Sequence, residues 1–422
     1  MGFSAKNYGR IVGANDRIRV AFVGCGRRVG AFYESLSDPF NTELSWVCDV
    51  KKSQREKVAK DLQDRIDYTP RQTEDLRTVL EDADVDAIFN ATPDHWHAPG
   101  SLMALAAGKH VYVEKPCSHN MAESELLVRA QQKYGKVVQM GNQQRSAPHT
   151  IEIISEIHEG VIGRPYKAVA FYSNARGRVP VPVRQEPPAD LNWELFQGPA
   201  PREDYRHDTW NYNWHWYGWK WGTAETGNNA THELDVARWA LQVAYPEQVI
   251  VDASKQHYPD DGWTMYDSMY ASFHYPDDKV INWDGKSRNG LNTYGAGRGT
   301  IIYGTEGSVF VNRGEYRLYD RGGKLVRRRE AGGDEQGTAL GGGGSMSTRH
   351  VANFLETIRG TAQRQNSPID EGAVSSDLCH LANIAWRADR PLKVDTSTGR
   401  IADSHAMRFW SRDYEPGWEP RV

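Results

Sequence analysis

The sequence predicts an α/β chain in two parts: a parallel sheet covered by helices, then an α+β domain with a large, mostly antiparallel open sheet. Residues 17–146 alternate short apolar, β-branched runs with helical patterns, which is typical of βαβ units. Residues 147–395 contain successive strand-like runs with fewer helices, which indicates a different domain type. The length of 422 residues agrees with this division, because it exceeds one ordinary core.

The boundaries of the predicted elements follow from breaks in these patterns. Residues 1–16 are predicted to form an amino-terminal arm, and residues 396–422 an extended tail. In the second domain we expect an aromatic-rich loop region over 176–222 and a mobile glycine-rich loop over 331–345. Helices within 346–388 are expected to pack partly back on the first domain. Five strands are predicted in the first domain, over residues 17–23, 43–50, 85–93, 110–116 and 136–145.

Composition argues against several classes of partner. Lys plus Arg is 51 and Asp plus Glu is 55, which gives a net charge of −4. The chain therefore has no excess of basic residues that would favour binding to nucleic acid or to an anionic membrane. No apolar run is long enough to span a bilayer, and residues 1–17 lack the apolar core of a signal peptide. A cytoplasmic location is expected, and a periplasmic one stays open if a leader was removed. No convincing metal-ligand set or CxxC pair occurs, so we expect no metal and no disulfide framework.

A glycine motif follows the first predicted strand. Gly24, Gly26 and Gly30 give the pattern G-x-G-x-x-x-G between that strand and a helix. Such glycines permit a tight turn, close approach of the backbone to a pyrophosphate and close packing of helix on strand. Asp49 ends the next strand, where a carboxylate accepts hydrogen bonds from a ribose hydroxyl. The first domain is therefore predicted to be a Rossmann dinucleotide-binding domain.

The choice between NAD and NADP depends on the end of the second strand. Asp49 favours NAD, because a carboxylate repels a 2′-phosphate. Lys51 and Lys52 leave NADP possible, since a nearby cation can neutralise that phosphate. The alternative is that both lysines only lie at a solvated helix start.

Three further stretches carry a resemblance to a known family. With the glycine motif, Thr92-Pro-Asp-His-Trp-His97 and Ala107-Gly-Lys-His-Val-Tyr-Val-Glu-Lys-Pro116 resemble the Gfo/Idh/MocA oxidoreductases. The resemblance covers most of the chain and includes the Gly-Thr-Glu-Gly turn at 304–307. It implies that Lys115 lies beside the nicotinamide and that the Lys115–Pro116 peptide is cis. It also implies a homodimer or homotetramer formed through the outer face of the second-domain sheet.

A second family element is the segment Gly227-Asn-Asn-Ala-Thr-His-Glu-Leu-Asp235. The family commonly has Asp, three residues and His here, and an i, i+4 spacing on a helix places both on one face. His232 matches the histidine and is the predicted general base. Asn228 replaces the aspartate, so it can orient a hydroxyl but cannot take a proton. Lys115 and His232 are therefore expected to share the acid–base work.

The remaining candidate residues lie at strand ends and in the aromatic region. The aromatic, polar segment Trp210–Trp221 is predicted to bind a sugar by stacking, with a subunit interface and a buried core as the alternatives. Asn142 and Arg145 are candidates for substrate contact, with loop packing as the alternative. The predicted cofactor-binding residues are Gly24, Gly26, Arg27, Arg28, Gly30, Asp49, Thr92, Pro93, His97, Glu114 and Lys115. The predicted substrate-binding residues are Asn142, Arg145, Tyr172, Trp214, Trp216, Asn228 and His232.

These observations predict an NAD(P)-dependent oxidoreductase that transfers hydride between nicotinamide and a secondary hydroxyl of a sugar, sugar derivative or glycoside. Lys115, Asn228 and His232 are its predicted catalytic residues. Three alternatives stay open. They are an NAD-dependent glycosidase using transient oxidation and elimination, a sugar–sugar oxidoreductase with retained cofactor, and a non-enzymatic binding protein.

Overall fold

A computed structural model describes residues 16–207, 209–332 and 345–422. The amino-terminal arm and nearly all of the glycine-rich loop expected from the sequence lie outside these residues. Among the described helices, none is long and apolar enough to cross a membrane.

The first domain is built on a six-stranded parallel sheet. All five predicted strands are present, and the strand order β3-β2-β1-β4-β5-β6 is that of a Rossmann domain. Strand β3 was not predicted, because it is a three-residue edge strand whose residues Arg71, Gln72 and Thr73 carry no apolar pattern. The six strands are β1 (Ile18–Val23), β2 (Thr42–Cys48), β3 (Arg71–Thr73), β4 (Ala87–Asn90), β5 (His110–Val113) and β6 (Val138–Met140).

Helices cover both faces of this sheet. The first crossover after the glycine motif is a 3₁₀ helix, Val29–Leu36, rather than the expected amphipathic helix of ordinary pitch. The helix after β4 starts at Asp94, three residues earlier than predicted, and accommodates Pro99 in its first two turns. Asn120 caps the helix after β5 by accepting from the N–H of Glu123, and Gly135 ends it with a positive φ. The α-helices are α1 (Lys52–Asp61), α2 (Leu76–Glu81), α3 (Asp94–Ala106) and α4 (Met121–Tyr134).

The second domain is built on a large mixed sheet. Its strand order is β15-β14-β13-β12-β7-β10-β9-β8-β16, with β11 paired to β7 at the side. Every neighbouring pair is antiparallel except β7 and β10, so the predicted mostly antiparallel sheet is confirmed. The strands are β7 (Pro165–Ala175), β8 (Gln248–Ser254), β9 (Ser268–His274), β10 (Val280–Lys286), β11 (Arg288–Asn289), β12 (Arg298–Gly304), β13 (Gly307–Val311), β14 (Glu315–Asp320), β15 (Leu325–Glu330) and β16 (Leu392–Lys393).

Helices of the second domain join the two sheets. Phe354 lies on a helix that packs against the first domain, with its ring centroid 5.8 Å from those of Phe89 and Tyr112. In the aromatic region only short helices form, because Trp, Asn and Tyr there follow no helical period. The α-helices are α5 (Pro148–His158), α6 (Trp193–Gln197), α7 (Thr231–Leu241), α8 (Ser345–Arg359), α9 (Ile369–Ala388) and α10 (Ser404–Met407).

A buried ion pair fixes α7 against the end of the first domain. Nε of Arg145 lies 3.1 and 2.8 Å from the two carboxylate oxygens of Asp235, and the Ser375 hydroxyl donates to the same carboxylate at 2.6 Å. Arg145 is 7% exposed and Asp235 1%. Because the guanidinium satisfies the buried carboxylate, removing one partner leaves an uncompensated charge.

We expect Arg145→Met to lower the free energy of unfolding by about 3–5 kcal/mol, measured by chemical denaturation. The double variant Arg145→Met/Asp235→Leu should recover most of this loss, because no charge is left unpaired. Arg364→Gln is the matched control, since Arg364 pairs with Asp370 at the surface and such pairs contribute about 1 kcal/mol or less. A loss in Arg145→Met no larger than in the control would contradict the assignment.

Candidate functional site

A deep cleft lies at the carboxyl ends of the first-domain strands. The loops after β1, β2, β4 and β5 form its floor, as expected for ligand sites in open parallel sheets. The aromatic region of the second domain forms its roof, with Trp210, Tyr212, Trp214 and His215. From the first domain the cleft is lined by residues that include Gly24, Gly26, Arg27, Arg28, Asp49, Thr92, Pro93, His97, Glu114 and Lys115.

The glycine loop has the geometry that a dinucleotide requires. Gly24 has φ +83°, and a Cβ atom there would lie 2.6 Å from backbone atoms of Ala91, so only glycine fits. At Gly26 a Cβ atom would meet nothing within 4 Å, which leaves room for a ligand at the backbone. Among the described residues, the N–H groups of Gly26 and Arg27 have no hydrogen-bond partner. Unpaired backbone N–H groups at such a turn fit a pyrophosphate.

Asp49 lies at the end of β2, where it was predicted. Its carboxylate accepts from the N–H of Cys25 at 2.6 Å and from the N–H of Lys51 at 2.7 Å, which joins it to the glycine loop. Burial raises the pKa of Asp49, although these two hydrogen bonds lower it. Each carboxylate oxygen keeps a lone pair for a ribose hydroxyl.

The mouth of the cleft near Asp49 is crossed by a segment that we call the strap, residues 188–198. Lys52 N–H donates to the Asp190 carbonyl at 2.8 Å, and Asn192 N–H donates to the Val50 carbonyl at 2.9 Å. Lys51 Nζ forms an ion pair with Asp190 at 2.7 Å. The strap therefore ties the second domain to the loop after β2.

Lys115 occupies the inner end of the cleft. Its peptide bond to Pro116 is cis, as the family resemblance implies. Lys115 Nζ donates to the Asn228 carbonyl at 2.6 Å and lies 3.5 Å from the Asn228 side-chain oxygen. Burial lowers the pKa of Lys115, whereas the carboxylates of Asp94 and Glu114 raise it. An ammonium has three donors, so Lys115 has one left for a ligand oxygen.

Two residues of α3 stand beside this lysine. Asp94 accepts from the N–H and the hydroxyl of Thr223 at 3.1 and 2.6 Å. His97 Nδ1 lies 2.6 Å from the Pro116 carbonyl and must donate to it, because a carbonyl only accepts. In the tautomer with the proton on Nδ1, Nε2 carries no proton, and it is buried without a partner among the described residues. His97 Nε2 is thus an acceptor available to a ligand in the cleft.

His232 lies in the first turn of α7, behind Asn228. It is 8% exposed and is not among the residues that line the cleft. Burial lowers the pKa of His232 well below its ordinary value, and the charges of Arg313 and Lys115 lower it further. His232 is therefore neutral near pH 7, which is the state a general base needs.

Tyr212 and His215 also line the cleft, although neither was named as a site residue from the sequence. His215 Nδ1 donates to the Tyr212 carbonyl at 2.7 Å, and its ring stacks on Trp214 at 3.6 Å. Burial lowers the pKa of His215 well below its ordinary value, so this second histidine is also neutral. Both lie in the Trp210–Trp221 segment that is predicted above to bind a sugar.

The carboxylate that the family pattern has at position 228 is missing from this chain, but another carboxylate, that of Glu225, lies beside Asn228. Asn228 lies in a π-helical turn, Thr226–Ala230, and its Nδ2 lies 3.2 Å from the Tyr212 hydroxyl and 3.4 Å from Glu225 Oε1. Glu225 is 2% exposed, accepts from Asn229 and lies 3.4 Å from Arg176. Glu225 thus stands beside Asn228, one turn earlier in the chain than the matched motif suggested.

Several other predicted residues lie outside the cleft wall. Arg145 is held by Asp235, and Trp216 stacks on Trp263 at 3.9 Å within the second-domain core. The Tyr172 hydroxyl accepts from Asn174 at 2.6 Å and from Arg176 at 3.2 Å. Neither Asn142, which is buried, nor Gly30, which lies inside the 3₁₀ helix, lines the cleft.

The predicted cofactor-side residues Arg28 and Glu114 form an ion pair at 2.7 Å. Both line the cleft, and the hydroxyl of Ser347 on α8 accepts from Arg28 at 3.3 Å. Within the described ranges, no group of three or more His, Cys, Asp or Glu side chains is arranged to hold a metal ion.

Comparison with known proteins gives the family of the first domain. Residues 18–142 match the family model described as "Oxidoreductase family, NAD-binding Rossmann fold". The matched region contains the glycine loop, Asp49 and Lys115.

Two curated relatives align with part of the chain. The uncharacterized oxidoreductase YrbE of Bacillus subtilis is 31% identical over 150 residues, which cover 36% of this chain and 42% of that protein. A glycosyl hydrolase family 109 protein of Shewanella sp. is 24% identical over 211 residues, which cover 49% of this chain and 42% of that protein. The chain thus spans less than half the length of these relatives.

A solved structure of levoglucosan dehydrogenase in complex with NADH and levoglucosan shares the whole fold. The TM-score is 0.67 at 18% identity, covering 89% of this chain and 99% of that one. The family match and the fold agree with the resemblance predicted from the sequence. Residues 18–142 thus match the NAD-binding Rossmann domain of this oxidoreductase family, and the similarity to the solved structure extends to the fold of 89% of the chain.

Proposed function

We propose that this protein is an NAD-dependent oxidoreductase acting on a secondary hydroxyl of a sugar or glycoside. One observation carries the proposal: the Lys115 ammonium lies partly buried at the inner end of the cleft and keeps one donor free. Lys115 lies where β5 ends, so it faces the space above a dinucleotide bound along the glycine loop. When bound, the nicotinamide would supply the acceptor for hydride.

The chain's own residues would handle the hydroxyl proton and the developing charge. Lys115 donates to the hydroxyl oxygen and stabilises it as it becomes an alkoxide. Neutral His232, which lies behind Asn228 rather than in the cleft wall, would take the proton through one bridging water, while Asn228 orients the hydroxyl and links it to Glu225. Because the aromatic region forms the roof of the cleft, these charges act in a lower dielectric than in bulk water and have a larger effect.

A carbohydrate is the proposed substrate class because of the cleft roof. Trp214 and Tyr212 offer ring faces to the apolar side of a sugar, and His215 offers a polar edge beside them. The similarity to levoglucosan dehydrogenase, whose structure holds NADH and a sugar, supports this class. We further propose a homodimer or homotetramer, in which exposed apolar side chains on the sheet, such as Ile250 (41% exposed) and Tyr270 (50%), meet a second copy.

NAD rather than NADP is the proposed cofactor. Lys51 is the cation nearest to Asp49 in sequence, but Asp190 and the Trp210 ring hold it, at 2.7 and 4.5 Å. Lys52 is exposed and lies 3.7 Å from Glu56. Neither lysine is positioned to neutralise a 2′-phosphate beside Asp49. The Asp49 carboxylate would therefore determine the preference for NAD over NADP.

The strap favours a second candidate, an enzyme that keeps its cofactor and regenerates it within one turnover. Its backbone hydrogen bonds and its Lys51–Asp190 pair close the cleft beside Asp49, which would slow release of the nucleotide. A glycosidase using transient oxidation works in this way, and the partial similarity to a glycosyl hydrolase family 109 protein supports it. Sugar release from a glycoside panel without growth of NADH absorbance would favour this candidate over a dehydrogenase.

Lys115→Met should reduce turnover by about 10²–10³-fold, because it removes the donor to the developing alkoxide. Cofactor affinity, followed by quenching of tryptophan fluorescence, should change little. Lys133→Met, at an exposed position on α4, is the matched control and should keep full turnover. Equal turnover in the Lys115 and Lys133 variants would overturn the proposal.

His232→Ala should reduce turnover by about 10²–10⁴-fold, whereas His215→Gln should mainly raise KM. Since burial depresses the pKa of His232, the base stays unprotonated on acidification through pH 6.5, the ordinary value of histidine. The acid limb of kcat/KM should therefore lie below about pH 6.5. A larger kcat loss in the His215 variant would transfer the role of base to that residue and disprove this assignment.

We expect purified protein to bind NAD at least about tenfold more tightly than NADP, measured by fluorescence titration after stripping any retained nucleotide. Asp49→Ser should reduce the difference in affinity between NAD and NADP, because it removes the carboxylate that repels the 2′-phosphate. Lys52→Ala is the control, since Lys52 lies at the exposed start of α1. Tighter binding of NADP to the unaltered protein would contradict the assignment.

A further inference from the structure

A second cavity, of about 610 Å³, lies apart from the nucleotide cleft. No residue lines both, and Thr223, which holds Asp94 on the cleft side, forms part of the separating wall. The cavity is enclosed by the start of α4, the end of the aromatic region, α9 and the carboxyl-terminal tail. Its polar and charged lining residues are His119, Asn120, Lys220, Thr223, His380, Asn383, Arg387, Arg408, Ser411, Arg412 and Asp413.

Two guanidinium groups in this cavity share one aromatic ring. The Arg387 guanidinium carbon lies 4.1 Å from the ring centroid of Phe409, and that of Arg408 lies 4.6 Å from it. Arg387 also lies 4.9 Å from the Trp219 ring. Burial, together with the charge of Arg408, lowers the pKa of Arg387 to about 10. Like charges held this close are costly unless an anion lies between them.

Carboxylates of the chain do not neutralise these two arginines. Within the described part of the chain, no Asp or Glu oxygen lies within 4.0 Å of a guanidinium nitrogen of Arg387 or Arg408. The acidic residue of the cavity, Asp413, forms no such pair with either. The other cations are already matched: Lys220 pairs with Glu203 at 2.8 Å, and Arg412 with Glu123 at 2.7 Å.

Buried hydrogen-bond donors on the cavity wall also lack partners. Both ring nitrogens of His119 are buried without a partner among the described residues, although one of them always carries a proton. His119 is 8% exposed, so bulk water does not satisfy it. Arg412 Nη1 is likewise buried and unpaired within the described ranges. Since buried polar groups are almost always hydrogen-bonded, this wall is built for an acceptor.

We propose that this cavity binds a small organic anion through its carboxylate or phosphate group. Arg387 and Arg408 would hold the oxyanion by charge-assisted hydrogen bonds, and the free donors of His119 and Arg412 would complete its shell. The Trp219 and Phe409 rings offer apolar contact for the remainder of the ligand. The ligand is distinct from the cofactor and from the substrate of the cleft.

Titration calorimetry with inorganic phosphate, and separately with malonate, tests this site at constant ionic strength in chloride. Saturating NAD keeps the probes out of the nucleotide cleft. At least one probe should bind saturably, and its Kd should weaken about tenfold or more in Arg387→Met and in Arg408→Gln. Arg364→Gln, a surface arginine paired with Asp370 outside the cavity, should bind like the unaltered protein. The stronger probe tells whether phosphate or carboxylate is preferred.

Arg408 is exposed at one end, so Arg408→Gln should fold even if loss of the Arg387 stacking destabilises the chain. The circular dichroism spectrum and melting temperature of each variant check this. Absence of saturable binding by either probe overturns the proposal. Equal affinity in Arg408→Gln and Arg364→Gln also overturns it, because the bound anion would then lie elsewhere.

Discussion

The cleft depends on one partly buried contact between the two domains, the hydrogen bond from Lys115 Nζ to the Asn228 carbonyl. An ammonium withdrawn from water is stable only where acceptors and carboxylates surround it. Here Asp94 and Glu114 supply the carboxylates, and a π-helical turn supplies the carbonyl. Each of these groups is held in turn: Asp94 by Thr223 and Glu114 by Arg28. Hydrogen bonds and ion pairs among these groups, rather than apolar packing, therefore hold the inner end of the cleft in place.

The aromatic region extends this constraint to the roof. Tyr212 links Asn228 to His215, and the strap carries the same region across to the loop after β2. The floor proposed for the cofactor and the roof proposed for the substrate are thus parts of one hydrogen-bonded unit. Backbone hydrogen bonds hold the strap against the loop after β2, and a side-chain substitution does not remove them. The position of the strap across the cleft therefore follows from the backbone fold.

The fold could be predicted from the sequence because its signals are local. The alternation of apolar runs with helices, the glycine motif and the Glu-Lys-Pro triplet fix the first domain, and Asp49 and Lys115 lie where these signals placed them. The predictions were weaker where tertiary contacts decide. Trp216 and Trp214 are two residues apart in similar surroundings, yet one stacks in the core and the other lines the cleft. Glu225 was not predicted, because it precedes a π-helical turn. The residue spacing in such a turn differs from the spacing of an α-helix, on which the sequence prediction was based.

The return of the chain from the second domain to the first restricts how the molecule can move. Phe354 of α8 packs on Phe89, and in the tail Trp418 packs edge-on against Trp96 at 5.4 Å. The polypeptide therefore crosses between the domains several times, and each crossing is anchored by buried rings. A hinge motion requires few connections between two domains. Here several buried contacts oppose rotation of one domain relative to the other. Nucleotide exchange would then proceed by local opening of the strap while the two sheets keep their relative orientation.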